Sequence, residues 1–262
     1  MSLDLLVSRW APTFLLLLAR CGGVVALGPV FGSLNIPPML RVGLSGALAL
    51  LLTPLVVPQH VQLPPSVAGL AAVLLGELVI GALLGLAVRF VFAGIGMAGE
   101  LAAVQMGIGL PAALDPHSMT QVSSVNHLLD QIAILAFLTV GGHHAILAAL
   151  AQSLTLAPPL SVAFRGSGLE YLLGVFGAAL TLAIRMAAPV GAAMLSTMVA
   201  LGLLNRIAPQ VNVFAVSFVL TIGVGLVVLL TALPILGAVM VASFQQLPTM
   251  LGGLLLRLRY GI

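Results

Sequence analysis

The chain has 262 residues, of which 61% are hydrophobic and 6% charged, with a formal net charge of +3. A soluble domain carries about 25% charged and about 45–50% apolar residues, so this apolar surplus has no place in a water-soluble core and marks an integral membrane protein. The positive balance does not point to nucleic acid either: all nine basic residues are arginines, scattered singly from Arg9 to Arg259, and no basic patch forms.

The opening stretch, MSLDLLVSRWAPTFLLLLARCGG, departs from a cleavable signal. Asp4 lies where such a signal is basic, and Arg20 interrupts the apolar core. It reads as a retained first hydrophobic segment with Trp10 near an interface. Cys21 is the single cysteine, which excludes an internal disulfide and a thiolate metal cluster. Six hydrophobic blocks then run in order at 14–31, 38–57, 67–99, 124–152, 169–204 and 211–244. Their joints are polar or proline-rich: NIPP at 35–38, TPLVVPQHVQLPP at 53–65 and APPLSVAFRGSG at 157–168. A straight span needs about 20 residues, whereas the fifth and sixth blocks would each reach roughly 50 Å as helices. Pro189 and Pro234 are expected to kink them. In the third block GALLG at 81–85 has the glycine spacing that lets helices approach closely. The expected fold class is an all-α integral membrane protein of about six hydrophobic helical segments, several broken or overlong. Arginine placement gives a slight preference for both termini on the cytoplasmic side.

The candidate chemistry is sparse. GLSG at 43–46 has the form of an intramembrane serine protease motif, but Ser45 lies in the second block with no earlier histidine. Packing by small residues explains it more simply, because a nucleophile needs its base and oxyanion donors in place. His143 and His144 are adjacent, so on a helix they diverge by about 100° and cannot chelate together. Charges inside apolar blocks carry more information, since each would cost several kcal/mol if left alone in lipid. These are Glu77, Glu100, Asp130, Arg89 and Arg185. His127 and Asp130 share a helix face, beside Gln131. Two readings stand for this set, a proton or ion relay and structural pairing within the chain or with a partner subunit. Arg185 has no opposite charge within a helical turn, which favours an assembly.

Two irregular stretches remain. QMGIGLPAALDPH, at 105–117, is too apolar for an ordinary loop and too rich in glycine and proline for a regular helix. LGLLNRIAPQVNVFAV, at 201–216, holds Asn205, Arg206, Pro209, Gln210 and Asn212, a short polar turn that alone reads as an interfacial hairpin.

Together these stretches resemble the FliR family of flagellar biosynthetic proteins (FliR/SctT), subunits of the type III export gate. The resemblance runs through RCGGVVALGPVFGSLNIPPMLRVGLSGALALLL at 20–52 and GELVIGALLGLAVRFVFAGIGMAGELAAVQMGIGLPAALDP at 76–116. It resumes in FLTVGGHHAILAALAQSLTLAPP at 137–159, LAIRMAAP and LGLLNRIAPQVNVFAVSF at 182–218. Pro111 and the paired histidines depart from the family's pattern. The resemblance implies a non-enzymatic chain with no cofactor, forming one membrane export-gate domain. Residues 1–160 would supply FliP-like segments, and 161–262 a FliQ-like hairpin with a C-terminal tail. It implies FliP-type and FliQ-type subunits as partners, with FlhB- and FlhA-type export proteins, unfolded export substrates and membrane lipid, but no nucleic acid. The location would be the bacterial inner membrane, at the flagellar basal body. The segment from Met106 through Gly107, Ile108, Gly109, Leu110, Pro111, Leu114, Asp115 and Pro116 would be a plug inside the closed channel. Irregular backbone at membrane depth is tolerated only where protein buries it or a cavity borders it. In this reading the apolar side chains exclude water and the glycines allow movement. The alternatives are the homologous subunit of a virulence injectisome and, in a different class, a proton-coupled secondary transporter using His127, Asp130 and Arg185.

Overall fold

The computed structural model describes residues 3–29, 31–32, 36–56, 63–108, 123–160, 167–208, 210 and 212–260. Among them the chain is helical throughout, with no strand. The helices are α1 (Leu3–Leu27), α2 (Pro38–Val56), α3 (Val67–Met106), α4 (Ser124–Thr139), α5 (Gly142–Leu156), α6 (Ser167–Ile207), α7 (Val213–Gln245) and α8 (Leu247–Tyr260). Five helical stretches are long and apolar enough to cross a membrane, and the interrupted pair α4 and α5 would make a sixth. With 40 and 41 residues, α3 and α6 are each about 60 Å long, twice a hydrocarbon core of about 30 Å.

Three boundaries differ from the pattern of apolar blocks. The fourth block divides at Gly141, whose φ of 75° lies in the left-handed region that glycine enters without a Cβ clash. Averaged hydropathy passes over that break, although the Gly141–Gly142 pair and the two histidines after it mark it locally. The helix of the third block runs on to Met106, while the fifth and sixth blocks stay helical through Pro189 and Pro234. Proline removes one backbone donor, but its fixed φ is near the helical value, and tertiary packing holds the remaining turns. Beyond the sixth block, α8 buries Leu247, Leu251, Leu254, Leu255 and Leu258, an amphipathic stripe at helical spacing. The two arginines in its last turn, Arg257 and Arg259, complement the helix dipole.

The helices gather into two compact units, and the chain passes between them several times. The first comprises Met1–Phe90, Gly141–Phe176 and Gln245–Ile262. In it α1 and the N-terminal half of α3 meet backbone to backbone. A Cβ at Gly81 would overlap the Arg20 carbonyl, one at Gly23 the Leu78 carbonyl, and one at Gly85 would lie 2.9 Å from the Val24 oxygen. The GALLG spacing therefore marks a real close approach. In the same unit α8 lies against the start of α6: Tyr171 donates its hydroxyl to the Met250 carbonyl (3.1 Å), and Ser167 donates to that of Arg257 (3.1 Å). The Arg257 guanidinium sits 5.1 Å over the Tyr171 ring.

The second unit comprises Val91–Val140 and Gly177–Phe244. Phe92, Phe137 and Phe244 form a ring cluster with centroids 5.0–5.5 Å apart. Around it the C-terminal half of α3 uses glycines as seats for its neighbours. Gly94 faces the Ala179 backbone of α6, and Gly99 faces Asn126 of α4.

The glycine contacts predict opposite responses along one interface. Gly81→Ala places a methyl into the Arg20 backbone and should lower the thermal midpoint, at an overpacking cost of about 1–3 kcal/mol. Gly22→Ala meets nothing within 4 Å and should be neutral or stabilising by up to about 1 kcal/mol through helix propensity. Fluorescence-detected size exclusion after heating, in detergent, checks both.

Candidate functional site

Among the described residues two places stand out, one for its buried charges and one for its irregular backbone. The first is a buried charge centre in the first unit. Arg20, on α1, is fully buried, and Glu77, on α3, is 3% exposed. Arg20 Nε donates to Glu77 Oε2 at 2.6 Å, and Nη2 lies 2.6 Å from the same oxygen. Nη1 donates to both the carbonyl and the hydroxyl of Ser153 at 3.0 Å, and Nη2 to the Ala157 carbonyl at 2.9 Å. Ser153 passes its own proton to the Leu150 carbonyl at 2.6 Å, which leaves its oxygen free to accept. The planar guanidinium fork is therefore satisfied on every side. With its donors all engaged, Arg20 is a structural rivet joining α1, α3 and α5.

The second place is the C-terminal end of α3, in the second unit, where the irregular apolar segment starts. Gly107 N donates to the Val104 carbonyl (3.1 Å) and Ile108 N to the Ala103 carbonyl (3.0 Å). With Gly107 at φ 78°, this is a Schellman stop: glycine turns the chain left-handed and the freed carbonyls are capped. Met106, the last helical residue, is fully buried. Its side chain fills the space over Gly225 of α7, where a Cβ would overlap it. Gln105 lies against Gly191 of α6, and its buried Oε1 has no hydrogen-bond partner among the described residues. The root of the segment is thus gripped by α6 and α7 before the chain leaves the helix.

The sequence-selected residues fall unevenly around these two places. Gly109, Leu110, Pro111, Leu114, Asp115 and Pro116 lie outside the described residues, as does Pro209 of the hairpin joint. Of the intramembrane charges, Glu77 belongs to the buried centre, Glu100 and Asp130 are half-buried, and His127, Arg89 and Arg185 are exposed. Asp130 and Asn126 each place an oxygen 3.2 Å from where a Gly96 Cβ would stand, and the Asn126 oxygen has no hydrogen-bond partner among the described residues. At the joint, Asn205, Arg206, Gln210 and Asn212 are exposed. Arg206 occupies the last turn of α6, where a cation suits the dipole. The Asn212 carbonyl accepts the first bond of α7, from Val216 N (3.2 Å).

The candidate protease serine bonds locally, whereas the paired histidines come together without a hydrogen bond at the buried His143 Nδ1 among the described residues. Ser45 donates to the Arg41 carbonyl one turn back, at 2.8 Å. Gly43 and Gly46 face open space rather than a neighbouring helix, so packing inside this chain does not explain GLSG. Contrary to the expected divergence, the rings of His143 and His144 lie 4.0 Å apart at the start of α5, because their side chains turn toward each other from adjacent positions. No group of three or more potential ligands gathers among the described residues. Sequence alone marks Arg20 only as an interruption of an apolar run and does not pair it with Glu77. The available signal was one buried charge of each sign in the first and third blocks.

Comparison with known proteins places these features in context. The model of the family described as "Bacterial export proteins, family 1" matches residues 11–247. The chain is 31% identical to the flagellar biosynthetic protein FliR of Pectobacterium carotovorum subsp. carotovorum over 259 residues, 95% of each chain. It is 27% identical to that of Escherichia coli K12 over 255 residues, 94% of each. With that of Aquifex aeolicus VF5 it shares 32% identity over 218 residues, 83% of this chain and 84% of the relative.

The charge centre yields a paired prediction. Arg20→Met alone strands a buried carboxylate and should cost about 3–5 kcal/mol, whereas Arg20→Met with Glu77→Met should recover much of the loss. Unfolding of the three proteins in mixed micelles measures this directly. Equal stability of the single and double variants would contradict the pairing.

Proposed function

The chain belongs to family 1 of the bacterial export proteins, and from that premise we propose that it is a core membrane subunit of the flagellar type III export gate. The observation that carries the reading is the match of nearly the whole chain to flagellar biosynthetic proteins, combined with an all-helical, membrane-spanning architecture. The flagellar assignment is preferred to an injectisome because these relatives are named flagellar. In this reading the chain lies in the bacterial inner membrane and assembles with FliP-type and FliQ-type subunits, in company with FlhA- and FlhB-type export proteins. It catalyses no reaction of its own. Unfolded flagellar proteins pass through the channel that the assembly encloses.

Within that channel, residues 106–121 act as the plug. The Schellman stop at Gly107 ends α3 abruptly, and the buried Met106 fixes the point of departure. An apolar segment held at its root can seal against water through contact alone and yield to a passing chain without breaking strong directional bonds. The hairpin formed by α6 and α7 corresponds to the FliQ-like part, and the preceding helices to the FliP-like part.

Two measurements test the proposal. Deleting the gene should abolish secretion of hook and filament protein, and a plasmid copy should restore it; secretion that persists without the chain would overturn the reading. Removing residues 106–121 in the assembled complex should raise resting ion conductance at least tenfold. Unchanged leakage would remove the plug assignment.

A further inference from the structure

Arg185 stands near the middle of α6, with apolar residues running for several turns on either side. It is exposed, and none of the described acidic residues forms an ion pair with it. Glu77 is already committed to Arg20. The same face of α6 carries Ala178, Thr181, Ala188, Ala192 and Leu195, all exposed. With Arg185 they fall at alternating spacings of three and four residues, the seam of a left-handed helix pair. The opposite face, with Ala183, Met186, Ala187 and Val190, is buried in the second unit.

A guanidinium fixed in the middle of an apolar helix is costly against lipid and needs a counter-charge. The small side chains flanking it allow a second helix to approach closely, and a flat seam of small residues alone would let that helix slide. One polar residue at a seam position removes that freedom, since only one register pairs it.

We infer that this face of α6 is a helix-packing seam in which Arg185 sets the register against a carboxylate on a membrane-spanning helix of another subunit. The partner helix carries an aspartate or glutamate near its middle and small residues one turn to either side. This inference rests on the assembly reading, to which it adds the surface, the charge and the register.

The test uses the full chain, expressed with the FliP-type and FliQ-type subunits of the same organism. Cys21 is buried, so in a Cys21→Ser background a cysteine placed at Ala188 is the sole reporter thiol. It should react with a maleimide in the chain expressed alone and be protected at least tenfold in the complex. A photo-crosslinker at Ala192 should capture a peptide of another subunit that holds a mid-helix carboxylate. Arg185→Glu should lower co-purifying partner at least tenfold at unchanged chain level, Arg185→Lys should retain most of it, and reversing the captured carboxylate to arginine should restore the Arg185→Glu complex. Ala188→Trp, which blocks close approach without touching the charge, should weaken assembly as well.

Crosslinks to lipid alone, or an Ala188 thiol that stays reactive in the complex, would overturn the inference. So would capture of a second copy of this chain, or rescue by Asp115→Arg within the chain itself. A wild-type complex that Arg185→Glu leaves intact defeats the seam alone. A wild-type chain that retains no partner defeats the assembly reading and the seam with it.

Discussion

A charge buried among apolar helices has to be neutralised, and the first unit is built around that requirement. Arg20 and Glu77 are 57 residues apart in sequence, yet they meet at 2.6 Å. The contact is possible because α1 and α3 touch backbone to backbone at Gly81 and Gly23. A larger residue at either position would move the helices apart and draw the charges out of range. The remaining donors of Arg20 then bind α5 through Ser153 and Ala157. Breaking such a centre on one side costs more than never having made it, because the surviving charge has no solvent to turn to.

Glycine has different roles in the two units. In the first it brings backbones together so that one ion pair can form. In the second, where Gly94 and Gly99 also meet neighbouring backbone, it adds seats for side chains, with Met106 over Gly225 and Gln105 against Gly191. Those seats hold the last turn of α3 until Gly107 ends it. The functional proposal depends on this arrangement: a sealing segment needs a fixed root as much as a yielding body. Helix α3 belongs to both units, since the division falls between Phe90 and Val91, within its continuous length.

Much of the architecture could be read from hydropathy, because lipid demands long apolar runs and helices that satisfy their own backbones. The second block, at 38–57, coincides with α2 almost residue for residue. The third begins at the same residue as α3, but the helix runs seven residues past the block to Met106, as GELAAVQM is amphipathic rather than uniformly apolar. The Gly141 break and α8 were hidden for complementary reasons. The Gly141–Gly142 pair is averaged away in an apolar window despite the two histidines beside it, and α8 is a packing helix whose stripe of leucines is diluted by polar residues. Pairing was the least legible feature. Glu77 stood out as a buried charge, but nothing local points from it to Arg20. The beginning of the apolar segment, Met106 to Ile108, is described and explains its own stop, whereas Gly109 to Pro116 lie outside the described residues.

In the proposed function this chain acts as one subunit of a mixed membrane assembly. Native mass spectrometry tests it most directly, on the chain co-expressed with the FliP-type and FliQ-type proteins of the same organism and extracted in mild detergent. A discrete complex holding this chain together with several copies of each partner is expected. A lone monomer or homodimer, with both partners expressed but absent from the complex, would contradict it.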